Sequence, residues 1–308
     1  MAAVVLLQTR SIPRFSQLSI VCLLGAICGC HFTDTRAPVP DALISSRQLS
    51  QQGCAALERA QDQEAAALLA KAVKVCPVDP DARRHYAEAL WQRGMRSEAL
   101  KQLQEACRLA PEDAATRARL ADMYLAVGQV PSARDSASQA IVLNPRLPAA
   151  WAVRGRVMRA TGNAEQALAD YHRSLGYAPT DRRVLVEVAE LYRQLNRPQR
   201  ALETLQSLAE TYTAGEEPQQ VLYLLGLAYV ALQRYDDGVE SLAGAAAREN
   251  PTAEIFYRLG EAQWLAGRPV EASIALDKAL ALDPRHQAGR DLLARMALAR
   301  QAESAPRR

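Results

Sequence analysis

The chain has 308 residues, 49% of them hydrophobic but only 5% aromatic, and its 37 Lys and Arg nearly balance 34 Asp and Glu. A net charge of +3 is too small for the concentrated basic face on which nucleic-acid binding rests, so nucleic acid is excluded as a partner. Ala and Leu supply most of the apolar content beside many Arg, Glu and Gln, which are strong helix formers. Stretches rich in β-branched residues are few, so an all-α fold is expected rather than a sheet.

Residues 1–30 differ from everything after them. Arg10 and Arg14 bring positive charge, and QLSIVCLLGAICG then runs apolar from Gln17 to Gly29. A membrane-spanning helix needs ~20 such residues. This run is shorter and has the length of a secretory hydrophobic region. It closes on Ile27-Cys28-Gly29-Cys30, which resembles a bacterial lipobox: aliphatic, variable, small, then Cys. The resemblance implies cleavage after Gly29 and lipidation of Cys30, placing the chain at the bacterial cell envelope, facing the periplasm or exterior. Cys28 departs from the pattern, and a plain signal peptide or a short uncleaved anchor is the alternative. Residues 31–45 follow as HFTDTRAPVPDALIS. Pro38 and Pro40 fix φ and lack amide donors, so an extended linker is expected between membrane and folded body.

From Ser46 the sequence repeats. Gly53, Ala87, Ala121, Gly155, Ala189, Gly226 and Gly260 form a column at intervals of 34, 34, 34, 34, 37 and 34. A second column lies twelve residues on: Ala65, Ala99, Ala133, Ala167, Ala201, Gly238 and Ala272. A third lies seven beyond that: Ala72, Ala106, Ala140, Ser174, Leu208, Ala245 and Ala279. Antiparallel helices approach closely only where side chains are small, so the first column is expected to face the second within a hairpin. The third is expected to let the next hairpin stack. Larger residues fill the layer between at helical spacing: Leu69, Leu103, Tyr171, Leu205, Leu242 and Leu276 in second helices, with Leu90, Tyr124, Met158, Tyr192 and Tyr229 in first helices. Gly94, Gly128, Gly162, Asn196 and Gly267 fall between the two helices of their units, where a left-handed residue ends a helix. Pro77, Pro111, Pro145, Pro179 and Pro284 close second helices.

A 34-residue helix–turn–helix with this pattern resembles the tetratricopeptide repeat (TPR); RSEALKQLQEACRLAPED (96–113) and VEASIALDKALALDPRH (270–286) carry its second-helix pattern. The resemblance implies a right-handed α-solenoid whose first helices line a concave groove that binds proteins. Seven units are expected over 46–286, a capping helix over 287–303 and a basic tail at 304–308. The fifth unit has Thr213 where a closing Pro belongs and three extra residues within TYTAGEEPQQ (211–220). That segment is either a hinge or functional loop, or a loose connection after an extended last turn.

Spacing places Arg84, Glu88, Trp91, Asp122, Leu125, Arg156, Arg159, Arg183, Glu190, Arg193, Tyr223, Leu227, Val230, Tyr257, Glu261 and Trp264 in that groove. With Arg154, its middle reads as basic and its C-terminal end as aromatic and acidic. A partner with an acidic centre and an apolar end is one expectation; an ordinary solvated face dotted with charges is the other. The Lys and Asn with which chaperone-tail clamps of the family grip a carboxylate are replaced by Arg84 and Glu88, or Ala118 and Asp122. Catalysis is not expected: Ser132, Ser136 and Ser138 lack a GxSxG surround, and the four His make no metal-ligand cluster. No cofactor, metal or small-molecule substrate is expected. Cys54, Cys76 and Cys107 form no CxxC pair. A Cys54–Cys76 disulfide would need an oxidising compartment, and spacing does not establish it. The expected role is a non-catalytic scaffold tethered to the envelope. The alternative is a non-lipidated soluble adaptor or a regulatory subunit of a partner enzyme.

Overall fold

The computed structural model describes residues 40–304. Cys30, the apolar run before it and residues 305–308 lie outside the described residues. Among these, all regular structure is helical, and no helix is long and apolar enough to cross a membrane. First helices are α1 (Asp41–Glu58), α3 (Pro80–Gln92), α5 (Ala114–Ala126), α7 (Pro148–Ala160), α9 (Arg182–Gln194), α11 (Gln219–Ala231) and α13 (Ala253–Leu265). Each pairs with the second helix that follows: α2 (Asp62–Val75), α4 (Arg96–Leu109), α6 (Val130–Leu143), α8 (Ala164–Tyr177), α10 (Pro198–Ala209), α12 (Tyr235–Ala246) and α14 (Pro269–Leu282). The last helix, α15 (Gln287–Ser304), packs on the seventh hairpin.

Every residue of the three small-residue columns is buried. The first column faces the second as expected, and it also meets a larger residue. Gly53, Gly155, Gly226 and Gly260 lie under the large second-helix residues Leu69, Tyr171, Leu242 and Leu276, with Ala167 and Ala272 offering only backbone carbonyls nearby. The missing side chain makes room for a bulky partner as well as for close approach of the second-helix backbone at Ala167 and Ala272. Those four partners are at most 0% exposed, and burying each contributes about 1.5–3 kcal/mol.

Turns follow the punctuation. Gly94, Gly128, Gly162, Gly267 and Asn196 all adopt positive φ between hairpin helices. Ala60 and Gln233 hold the same conformation, at φ 56 and 60, in the two hairpins lacking such a residue. Asp79, Asp113 and Asp181 cap α3, α5 and α9 by accepting from the second and third amides of each helix, which satisfies donors a helix start leaves open.

Two features depart from the sequence reading. The first helix begins at Asp41, inside the span read as linker. Pro40 supplies the carbonyl that accepts from Leu43 and Ile44 at 2.7 and 3.2 Å, Asp41 suits the positive helix start, and Ser46 donates to Asp79 at 2.8 Å. The connection at 210–218 is pinned from both sides. Arg182 donates to the hydroxyl and carbonyl of Thr211 and stacks 4.0 Å over Tyr212. Arg248 donates to the Gly215 carbonyl at 2.7 Å and pairs with Glu217 at 3.7 Å. The three extra residues thus form a tied turn.

First helices contact one another along the stack, at α1–α3, α5–α7, α9–α11 and α11–α13, and α15 continues the row on α13, whereas second helices do not come together comparably. The first helices therefore form the inner, shorter face of the solenoid, and the second helices the outer one.

Candidate protein-binding groove

The inner face carries a ladder of ion pairs. Arg119 on α5 reaches back to Glu88 on α3 with two hydrogen bonds, 2.6 and 2.7 Å, and pairs with Asp122 at 2.9 Å. Asp122 accepts from Arg156 on α7 at 2.9 Å, and Arg156 approaches Glu187 on α9 at 3.4 Å. In parallel, Arg159 pairs with Glu190 at 3.3 Å, and Gln220 on α11 donates to Glu190 at 3.2 Å. The bonds it donates to Glu88 hold the Arg119 guanidinium above its ordinary pKa against the opposing effect of burial.

This corrects the picture of a basic middle. Arg156 and Arg159 are each answered by a carboxylate one repeat further on. Arg183, exposed, lies 3.5 Å from Glu187 and 4.0 Å from Asp122. Arg154 turns away from this face to Asp170 on α8, with bonds of 2.8 and 2.6 Å. Of the arginines expected in the basic middle, Arg193 alone is exposed with neither hydrogen bond nor ion pair.

The remaining expected residues divide. Arg84 pairs with Asp81 at 3.1 Å and borders a depression of about 390 Å³ with Arg47, Ser50, Cys54 and His85. Trp91 lies beneath Arg96, 3.9 Å from ring centre to guanidinium, and Leu125 is partly buried on α5. The clamp positions are likewise occupied: Glu88 is taken by Arg119, and Ala118 is buried.

Tyr223, Leu227 and Val230 line an open cavity of about 690 Å³ that spans α9, α11 and α13, with Glu190, Arg193 and Leu265 at its rim. Burial raises the Tyr223 phenol pKa, and nearby Glu254 adds to the rise. On the far wall Arg258 binds Glu254 at 2.7 Å and Glu261 at 3.0 Å. Burial alone would lower the Arg258 pKa; those two bonds overcome it and raise the group above its ordinary value.

Tyr257 and Trp264 do not belong to this cavity. Tyr257 is 7% exposed and packs with Leu276, Leu292 and Met296. Trp264 joins the same cluster with Arg295 over its ring at 5.4 Å. The capping helix covers the positions that are open one repeat earlier. Sequence reasoning also missed Arg119, Glu187 and Arg258, which lie two residues before the small column. Opposite charges 31 residues apart were the available signal, since 88/119, 156/187 and 159/190 are all such pairs.

Among the described residues no group of His, Cys, Asp and Glu could hold a metal ion. Cys54, Cys76 and Cys107 are free thiols.

Tetratricopeptide repeat models match residues 80–123, 158–225 and 223–287. The chain is 22% identical over 201 residues to the BBSome complex member BBS4 homolog of Drosophila melanogaster, covering 63% of this chain and 40% of that protein. It is 23% identical over 145 residues to the Hsp70-Hsp90 organizing protein of Triticum aestivum, covering 47% and 25%. The chain thus spans less than half the length of these curated relatives. Among solved structures, PilF of Pseudomonas aeruginosa superposes with a TM-score of 0.62 at 16% identity, over 73% of this chain and 99% of that one. Repeat spacing, helical hairpins and family matches agree: the chain belongs to the tetratricopeptide repeat family, whose fold typically serves as a non-catalytic scaffold for protein interaction.

Proposed function

We propose that this chain is a scaffold held at the bacterial cell envelope through lipidated Cys30, and that it binds a partner protein along the inner face of its first helices. The observation that carries the binding reading is the continuous inner face from α3 to α13, ordered by the ion-pair ladder and opening into the cavity at α11. The tether rests on the apolar run ending in Ile27-Cys28-Gly29-Cys30.

Two experiments test the parts separately. A palmitate analogue fed to cells should label the wild-type chain and leave Cys30→Ser unlabelled. Equal absence of label, with the chain in the soluble fraction, replaces the tethered scaffold with a soluble adaptor. A photo-crosslinking residue at Leu125 should capture partner protein, whereas one at Val142 on α6, 80% exposed, should not. Capture from Val142 alone overturns binding on the inner face.

A further inference from the structure

The inner face is not uniform, and its one uncharged stretch indicates what it takes. Of the seven first helices, α11 alone has no charged residue: QQVLYLLGLAYVA. On its N-terminal side the ladder's charges are already matched, so a partner offering charge there must first break existing pairs. On its C-terminal side Arg258 holds both Glu254 and Glu261, leaving no free carboxylate to attract a basic segment. What remains is the apolar floor of Tyr223, Leu227 and Val230, with Leu265 at the rim, 42% exposed. Beside it stands Arg193, a cation without a partner. Covering the floor removes apolar surface from water, and a carboxylate at Arg193 gains a charge-assisted bond that costs no existing one.

We infer that the α11 cavity is where the inner face grips its partner, and that the partner is a protein segment presenting a large apolar side chain with an Asp or Glu close to it in sequence. The apolar group lies on Leu227 and Val230, and the carboxylate pairs with Arg193. This rests on the inner face being the binding face.

The test is a phage-displayed library of random 12-residue peptides panned on the immobilised full chain. Enriched peptides should share a Leu, Met or aromatic residue with an Asp or Glu within four positions. Leu227→Ser should cut their capture at least tenfold, and Arg193→Glu should exchange the enriched acid for Lys or Arg while keeping the apolar residue. Circular dichroism confirms the fold of each variant, and Val230→Ser replaces Leu227→Ser if that chain is unfolded. Leu125→Ser separates the two claims. If it abolishes capture and Leu227→Ser does not, the partner sits on the ladder: the α11 proposal falls and inner-face binding stands. Capture that survives both variants overturns both. Enrichment of basic peptides, or of none above bare support, overturns the partner chemistry.

Discussion

Gly155 lies so close beneath the Tyr171 ring that a β-carbon there would sit 2.7 Å from two ring carbons. The Ala167 carbonyl closes the other side at 3.3 Å. Gly155→Ala should therefore destabilise the chain by about 1–3 kcal/mol, although alanine is the better helix former. Adding Tyr171→Leu should recover part of the loss, because Ala87 and Leu103 occupy the equivalent places fully buried. Denaturant midpoints for the two variants check this. A wild-type midpoint for Gly155→Ala would show that the helices separate at no cost.

Arg156 is held between Asp122 and Glu187, which are 19% and 14% exposed. Arg156→Gln leaves two partly buried carboxylates, on the α5 and α9 helices that flank α7, with less positive charge between them. It should cost about 1–3 kcal/mol, measurable as a lowered urea midpoint. A neutral outcome would make the ladder an ordinary solvated surface. Binding losses in variants at this position need correcting for stability before they are read as contacts.

Gln233 ends α11's hairpin turn at φ 60. A left-handed side-chain-bearing residue costs ~1–2 kcal/mol, partly offset by the entropy glycine adds to the unfolded chain. Gln233→Gly should raise stability by about 0.5–1 kcal/mol, visible as a higher melting temperature. Gly128→Gln, the reverse change at an equivalent turn, should lower it.

Burial lowers the pKa of both His85 and His172, with Arg84 and Arg200 acting in the same direction. The unfolded chain takes up these protons near pH 6.5, where the folded chain still resists them. Stability should thus fall as pH drops through about 6.5 and level off once the folded chain is protonated too. Melting curves from pH 7.5 to 5 should show the decline, and His85→Gln with His172→Gln should reduce it. An unchanged slope would assign the decline to carboxylates.

The repeat was legible because packing leaves few choices. Gly53, Ala87 and their column must be small, and Leu69, Leu103 and theirs are large in every unit but the third, where Ala137 stands, so the period survives in the letters. The groove's electrostatics were less legible. Arg156 and Arg159 read as a basic patch when counted along α7, and become neutral once α9 is laid beside them. Tyr257 and Tyr223 hold the same repeat position, yet α15 buries one and leaves the other on the cavity. That difference depends on what stacks next, which a position within one repeat does not encode.

The ladder also has a mechanical consequence. Glu88–Arg119, Asp122–Arg156, Arg156–Glu187 and Arg159–Glu190 act as struts that fix the pitch from α3 to α9. Across to α11 the inner face has one neutral brace, Gln220 to Glu190. The step from α9 to α11 rests instead on packing among Leu185, Ala189, Leu224 and Ala228. Rising salt screens the struts, so it should loosen the inner face from α3 to α9 and leave the α9–α11 step little changed.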